Sequence, residues 1–470
     1  MTKVLLIYVN GFMDNLVPIG VSLLSSCLKN EGHEVKLFDT TFYRTEEGAR
    51  RNEARVKTLQ VKKTDLSKYG VREKDTNMVE DFREMVRYFK PGLVGFSVVE
   101  STFPLAQELL KSIEDYDVPK IMGGVHVTMN PSDVINNLSL EMICVGEGEE
   151  AIVELANKIR NNEDYLEVQN LWVKKSDGSI IKNSLRPLVD LDDLPMTDWS
   201  IYEKERFFKP MGDEINISGT IELNRGCTHK CAFCCNKELQ LIHKGLGRYP
   251  RQRSIEKFIE EVKAKKRDYG LQYLYIVAEN LLQMTPERFD KFIDLYREVD
   301  LPFWAQARPE TITEDKVARL EEVGCKLFSI GVEHGNETFR RETLNRFVSN
   351  EKIIKAFKII KQSKIKVCAN SIIGFPTETR ELVFDTIRLN KQLQADYMIA
   401  NIFVPYQGTK LRDLAVEMGY ISEGFVAGDY RSDAMLDMPQ LSREEILGLQ
   451  RTFSLYAKLP KDRWPEIKIA

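Results

Sequence analysis

Several features are missing from this sequence of 470 residues, and each absence excludes something. No apolar run approaches the ~18 residues of a membrane span, so no spanning helix is expected. Neither sign of charge dominates: 67 Lys and Arg face 71 Asp and Glu, a net of −4. That balance argues against a protein held to nucleic acid or to an anionic membrane by bulk charge. Eight cysteines are too few for a disulfide framework at this length. The opening MTKVLLIYVNGF holds only a short apolar run with no small-residue cleavage site, and reads as a first strand and not a signal peptide. The expectation is a cytoplasmic protein. Hydrophobic residues at 43% and charged residues at 29% exclude wholesale disorder. At roughly 150 residues per domain the length allows about three units or fewer.

The first third alternates strands and helices. KVLLIYV, residues 3–9, is apolar and of strand length. Val21, Leu24 and Leu28 then recur at helical spacing, with Pro18 near the start and Gly32 placed to end the helix. Further strands are expected at 35–39, 93–98, 120–124 and 142–150. This alternation predicts a doubly wound parallel sheet, in which ligands sit beyond the carboxyl ends of the strands. Those ends carry Gly123-Gly124-Val125-His126 and Gly146-Glu147-Gly148-Glu149. Each glycine pair alone reads as an ordinary turn; two of them on one sheet point to a cofactor crevice, since glycine lets a large ligand approach the backbone. No GxGxxG follows the first strand, so the dinucleotide fingerprint is missing. Residues 40–76, rich in Arg, Lys and Glu, read as a solvated insertion.

LWVKKSDGSIIKN (171–183) reads as a hairpin with its turn at Asp177-Gly178. Residues 186–202, with two prolines and four aspartates, read as an extended connection. From 221 the alternation resumes, with strand-like runs at 221–226, 273–279, 303–308, 326–333, 367–375 and 397–406. Six βα repeats predict a (β/α) barrel or partial barrel with its chemistry at the carboxyl ends of the strands. The expected boundaries are 1–165 for the first unit, 166–210 for hairpin and linker, 211–410 for the partial barrel and 411–470 for a small helical segment.

The cysteines are unevenly placed. Cys27, Cys144, Cys325 and Cys368 are scattered in apolar surroundings and read as small buried hydrophobes. Cys227, Cys231, Cys234 and Cys235 crowd into one loop after the first strand of the second unit. Three thiolates at spacings of four and three can converge on one soft metal centre. Zinc usually wants a fourth ligand from a second CxxC or a His pair, and no second cysteine pair exists. A four-iron four-sulfur cluster held by three cysteines keeps one iron open. Cys235, adjacent to Cys234, reads as a packed side chain. Lys237 and His243 follow the loop and are expected in solvent.

CxxxCxxC after a strand that opens a partial barrel resembles the radical S-adenosylmethionine enzymes, and Phe233 before the last cysteine matches too. Ala278-Glu279-Asn280 resembles the segment that holds the methionine amine, without its usual glycines. Ser329 to Gly335 with Arg340 to Arg346 resembles the ribose- and carboxylate-binding region. Ile373 to Thr379 and Pro405 to Thr409 resemble later strand ends. A doubly wound domain before such a barrel resembles the cobalamin-binding group of that superfamily. Pro18-Ile19-Gly20, Ser97, Gly123, Gly124, His126, Gly146, Glu147 and Gly148 match its pattern, as do Leu194-Pro195 and Trp199. The Asp-x-His-x-x-Gly loop that supplies a lower axial histidine is absent; the first loop here is Asn10 to Asn15.

The resemblance implies an α/β chain: a Rossmann-like cobalamin-binding domain, then a partial (β/α)6 barrel of TIM type. It implies a 4Fe-4S cluster on Cys227, Cys231 and Cys234, with S-adenosylmethionine and cobalamin as further cofactors. Phe233 is then expected near the adenine, Glu333 on the ribose hydroxyls, and Arg308 or Arg346 on the methionine carboxylate. Surface or interdomain salt bridges are the alternative for Glu333 and the arginines. His126 is expected to be a hydrogen-bonded turn residue. The implied activity is reductive cleavage of S-adenosylmethionine to a deoxyadenosyl radical, followed by methylation of an unactivated carbon of a small molecule. The implied partner is a reductant such as flavodoxin or ferredoxin, with no nucleic acid. Radical cyclisation or rearrangement with the same cofactors is a second reading, and a non-catalytic iron–sulfur or cobalamin redox sensor a third. A methylthiolating RNA-modifying relative is rejected, because the N-terminal unit holds only Cys27 and Cys144 and the tail is short.

Overall fold

A computed structural model of the chain describes residues 1–57, 61, 63–211, 214–429, 431 and 433–467. Parts of the charged segment 40–76 and of the segment 411–470 lie outside the described residues. The chain divides into two compact units. The first is Met1–Ala49 with Asp65–Pro210 and Glu238–Arg251; the second is Arg50–Thr64 with Met211–Lys237 and Gln252–Ala470.

The first unit holds parallel strands β1 (Lys3–Tyr8), β2 (Glu34–Asp39), β3 (Leu93–Ser97), β4 (Lys120–Gly123) and β5 (Met142–Cys144). Their order is β2-β1-β3-β4-β5. The winding reverses at β1, so the switch point lies between the ends of β1 and β3, at Tyr8 and Ser97. Val4, Leu5 and Ile7 of β1 are fully buried, as a strand covered on both faces requires. Helix α1 (Ile19–Asn30) starts after Pro18, buries Val21 and Leu28 against the sheet, and is followed by Gly32 at φ +77°. The predicted hairpin forms β6 (Leu171–Lys174) and β7 (Ile180–Lys182), and β6 pairs antiparallel with β5. The sheet is therefore not wholly parallel, and the hairpin covers the edge that β5 would otherwise leave open. The connection after it packs back on α1: Asp198 accepts from Ser25 Oγ at 2.6 Å and pairs with Lys29 at 2.7 Å, and Trp199 is buried.

The second unit holds β8 (Glu214–Glu222), β9 (Tyr273–Val277), β10 (Phe303–Ala307), β11 (Cys325–Glu333), β12 (Lys366–Ile373) and β13 (Tyr397–Ile402). These six run parallel and follow one another in chain order, a curled half-barrel. The first of them lies earlier than the run 221–226 suggested. It stops at Glu222 because Arg225 folds back onto that carboxylate through two bonds of 2.9 Å and Gly226 turns at φ +90°. Ser254, Thr285, Thr313, Ser349 and Thr379 each accept a main-chain N–H in the first turn of the helix that follows them. These caps fix where each helix leaves its loop. Leu274, Ile276, Phe303, Phe328 and Ile330 face those helices and are fully buried. The helix Arg443–Lys458 starts at a Ser442–Glu445 capping box and packs its Leu449, Phe453 and Tyr456 into a cluster with Phe375 and Phe403. Among the described residues no helix is long and apolar enough to cross a membrane.

Candidate functional site

The cysteine loop leaves the carboxyl end of β8 and is tied down at four points. Gly226 N–H donates to Glu279 Oε1 at 2.8 Å, and Asn345 Nδ2 donates to Lys230 O at 2.6 Å. Ala232 N–H donates to Leu344 O at 3.0 Å, and Ala232 O accepts from Leu411 N–H at 3.3 Å. Segments beyond β9, β11 and β13 therefore hold one short loop. All eight cysteines are free thiols. Cys231 is buried; Cys227, Cys234 and Cys235 are half-buried. Cys227 Sγ accepts from His229 N–H at 3.5 Å and Cys234 Sγ from Asn236 Nδ2 at 3.7 Å. Phe233 lies against Phe375, ring centres 5.9 Å apart.

Three neighbouring strand ends bring polar side chains to the same edge of the sheet. Glu279 and Asn280 follow β9, Arg308 follows β10, and Glu333 ends β11. Burial raises the Glu279 carboxyl above the usual carboxylate range even though one oxygen accepts the Gly226 N–H. Burial also raises Glu333, against the pull of Arg346, Arg308 and Arg340. Glu333 stands at φ +63°. Arg346 Nη2 donates to Gly331 O at 2.5 Å, and its Nη1 lies 3.7 Å from Glu333 Oε1. Arg308 is paired at 2.6 Å with Glu310, a residue the sequence reading did not single out. Pro309 starts a tight turn that brings position 310 back onto 308. Glu310 is lowered: burial opposes ionisation, and Arg308 overcomes it. Among the described residues Glu279 Oε2, Asn280 Nδ2 and Arg346 Nε are buried without a hydrogen-bond partner. Ala278 is buried behind them.

His334 and Glu378, both fully buried, brace this edge. His334 Nδ1 accepts from Asn336 N–H at 3.0 Å, which leaves Nε2 as the N–H that donates to Glu378 Oε1 at 2.9 Å. The second carboxylate oxygen accepts the N–H groups of Gly374 and Phe375. Glu378→Gln puts an amide where three donors converge and leaves at least one buried donor unmade, a cost of roughly 2–4 kcal/mol. The urea midpoint of the full chain is expected to fall accordingly. The exposed neighbour Glu381→Gln should leave it unchanged.

In the first unit the predicted turns end neighbouring strands. Gly20, in the first turn of α1, has open space where a side chain would stand. Ser97 is half-buried at the end of β3. Gly123 ends β4; a Cβ there would touch Cys144 at 3.4 Å. Gly124 stands at φ +113°, and a Cβ there would fall 2.3 Å from Val98 O. His126 is buried with its ring on Phe103, centres 4.4 Å apart. Gly148 sits against Leu24. Glu147 is held by Arg251, whose Nη1 donates to Oε2 at 2.9 Å and to Val189 O at 2.7 Å. His243 is a correction: expected in solvent, it is 5% exposed beside Gly146. Its Nδ1 bonds Leu239 O at 2.8 Å, and Nε2 has no partner among the described residues.

No three His, Cys, Asp or Glu side chains among the described residues stand close enough to grip a metal ion as placed. The donor set nevertheless fits an iron–sulfur cluster in its chemistry: three free soft thiols on one anchored loop. The unpartnered atoms of Glu279, Asn280 and Arg346 fit a polar ligand such as an amino acid head group. Gly20 is exposed in the first turn of α1, with room beside it for a ligand.

Comparison with known proteins agrees with this division. A model of the radical SAM superfamily matches residues 221–389, and a model of the B12 binding domain matches residues 6–156. An uncharacterized methyltransferase of Pyrococcus horikoshii is 25% identical over 404 residues, 85% of this chain and 78% of that protein. An anaerobic magnesium-protoporphyrin IX monomethyl ester cyclase of Rubrivivax gelatinosus is 23% identical over 393 residues, 81% of this chain and 67% of that one. The solved structure of the radical S-adenosylmethionine methyltransferase TsrM from Kitasatospora setae, with cobalamin and a [4Fe-4S] cluster bound, superposes with a TM-score of 0.64 at 18% identity. It covers 89% of this chain and 78% of that chain. The cofactors that go with the two matched domains are a 4Fe-4S cluster, S-adenosylmethionine and cobalamin. With an anchored three-cysteine loop on a half-barrel and a B12 binding domain on the sheet before it, the chain belongs to the cobalamin-binding radical SAM enzymes.

Proposed function

We propose that the chain methylates an unactivated carbon of a small-molecule substrate. One observation carries this reading: the cysteine loop and the unpartnered polar atoms of Glu279, Asn280 and Arg346 share one end of the half-barrel, in a chain that also carries a B12 binding domain. Cys227, Cys231 and Cys234 hold the cluster. Ala278 and Glu279 line the methionine amine, Phe233 the adenine, and Glu333 the ribose hydroxyls. Arg346 takes the methionine carboxylate in preference to Arg308, whose guanidinium is already paired with Glu310. Pro18, Gly20, Ser97, Gly123, Gly124, His126, Gly146 and Gly148 form the cobalamin seat. Glu147 acts there as a positioning residue, through Arg251. When bound, these groups supply the electron that cleaves S-adenosylmethionine and the methyl group to be moved; the protein orients them and excludes water. The reductant is a small electron carrier such as flavodoxin or ferredoxin, no nucleic acid takes part, and the reaction takes place in the cytoplasm.

Similarity to the anaerobic cyclase favours one second reading, radical ring closure with the same cofactors. A single experiment separates the two. The anaerobically reconstituted chain is incubated with trideuteromethyl S-adenosylmethionine and an extract of candidate substrates. A product carrying the trideuteromethyl group supports methylation. An unlabelled cyclised product overturns it in favour of ring closure.

A further inference from the structure

The inner face of the half-barrel can be read from the strand registers. Side chains alternate across a strand, and on β9 to β12 the outward set is buried under helices, while the inward set holds half-buried and exposed side chains beside the buried Tyr273 and Cys368. The register Tyr275↔Trp304, Gln306↔Ser329, Cys368↔Tyr397 and Asn370↔Ile399 puts these residues together on the inward face. Two features stand out. The first is charge. Every inward side chain between the two ends of the sheet is neutral at ordinary pH. The charged ones stand at the strand ends: Glu214 begins β8, Glu222 pairs with Arg225 at 2.9 Å, Glu333 ends β11 with Arg346 3.7 Å away, and Lys366 pairs with Asp396 at 3.1 Å. The second is apolar exposure. Tyr397 is 46% and Ile399 45% exposed. Tyr275 and Trp304 have ring centres 4.9 Å apart. Gln306 is exposed, and Asn401 half-buried, so two carboxamides, each able to donate and to accept, border the rings.

We propose that this face receives a neutral, flat, largely apolar substrate that packs on Trp304, Tyr397 and Ile399 and hydrogen-bonds through an amide-like group to Gln306 or Asn401. Phosphorylated and other strongly anionic substrates are disfavoured, because among the described residues the middle of the face, away from Arg346 and Lys366 at its ends, offers no cation to replace their hydration. Strands β10 and β13 are three strand spacings apart, about 14 Å along the sheet, which suits a molecule of two or three fused rings. The inference rests on the proposed function only in taking the cysteine end of the half-barrel as the reacting end.

The test uses the full chain under anaerobic conditions with three probes of one ring system: 2-naphthamide, 2-naphthoate and 2-naphthyl phosphate. Binding is followed by saturation-transfer NMR. The neutral amide is expected to bind at least about tenfold more tightly than the phosphate, and Trp304→Ala to weaken it about tenfold, a change of ~1.4 kcal/mol. Ile399→Lys alters an exposed position, so the chain should fold with an unchanged melting point; it should turn the preference toward the phosphate. Equal binding of the three probes, or amide binding unaffected by both substitutions, overturns the inference. Iron content and 5′-deoxyadenosine formation are measured on the same samples. A chain that binds the amide but makes no 5′-deoxyadenosine sinks the proposed function and leaves the binding face standing; the reverse result does the opposite.

Discussion

Single replacement of Cys227, Cys231 or Cys234 by alanine is expected to abolish the brown iron–sulfur chromophore of the anaerobically reconstituted chain, whereas Cys235→Ala keeps it. The reason is the coordination count. A cluster held by three thiolates loses a third of its protein ligands with any one of them. The loop itself should survive, because its anchors are carboxylate, carboxamide and main-chain bonds at Gly226, Lys230 and Ala232, none of which involves a thiol. The variants should therefore fold with near-normal far-ultraviolet circular dichroism while losing iron. Cys235 is adjacent to Cys234 and also half-buried, so it is the informative control. Loss of iron from Cys235→Ala alone would reassign the third ligand.

Gly124→Ala is expected to be the most damaging single-methyl change in the first unit. At φ +113° an L side chain is strained by about 1–3 kcal/mol. The added Cβ would also fall 2.3 Å from Val98 O and 3.0 Å from Val98 N. Those are main-chain atoms, and Val98 N–H already donates to Gly123 O at 3.0 Å, so neither partner can yield without breaking the junction between β3 and β4. The combined cost should exceed ~3 kcal/mol and lower the melting point of this unit by roughly 6–12 °C. Gly20→Ala is the counterpart. It sits in a helix with nothing within 4 Å, so stability should hold or rise by about 0.4–1 kcal/mol. If the open space there belongs to a ligand, cobalamin retention after gel filtration should fall in Gly20→Ala while the melting point does not. Thermal scans and cobalt content on the two variants separate the roles.

Much of this was legible in the sequence because it is local. Strands such as 93–98 and 303–308 are short apolar runs between helical stretches, and they appear within a residue or two of where the pattern put them. The cysteine loop is a contiguous motif. What escaped depends on contacts between distant segments. The hairpin at 171–183 was visible, but not that its first strand pairs with β5. His243 sits in a polar stretch whose own pattern says surface; it is buried beside Gly146, about a hundred residues earlier. Glu310 came to light only with the turn at Pro309, although an acid two residues beyond an arginine, with proline between, was a readable signal. Arg340, grouped by resemblance with the ribose and carboxylate region, spends its guanidinium on Val348 O and Asn350, inside the fold.

The central claim is that one chain holds both an iron–sulfur cluster for S-adenosylmethionine and cobalamin. Metal analysis of the chain, reconstituted without dioxygen and passed through gel filtration, tests it most directly when combined with 5′-deoxyadenosine measurement after reduction. About four irons and one cobalt per chain, with 5′-deoxyadenosine formed only when Cys227, Cys231 and Cys234 are intact, is the predicted result. Iron without cobalt, or both metals without 5′-deoxyadenosine, would contradict it.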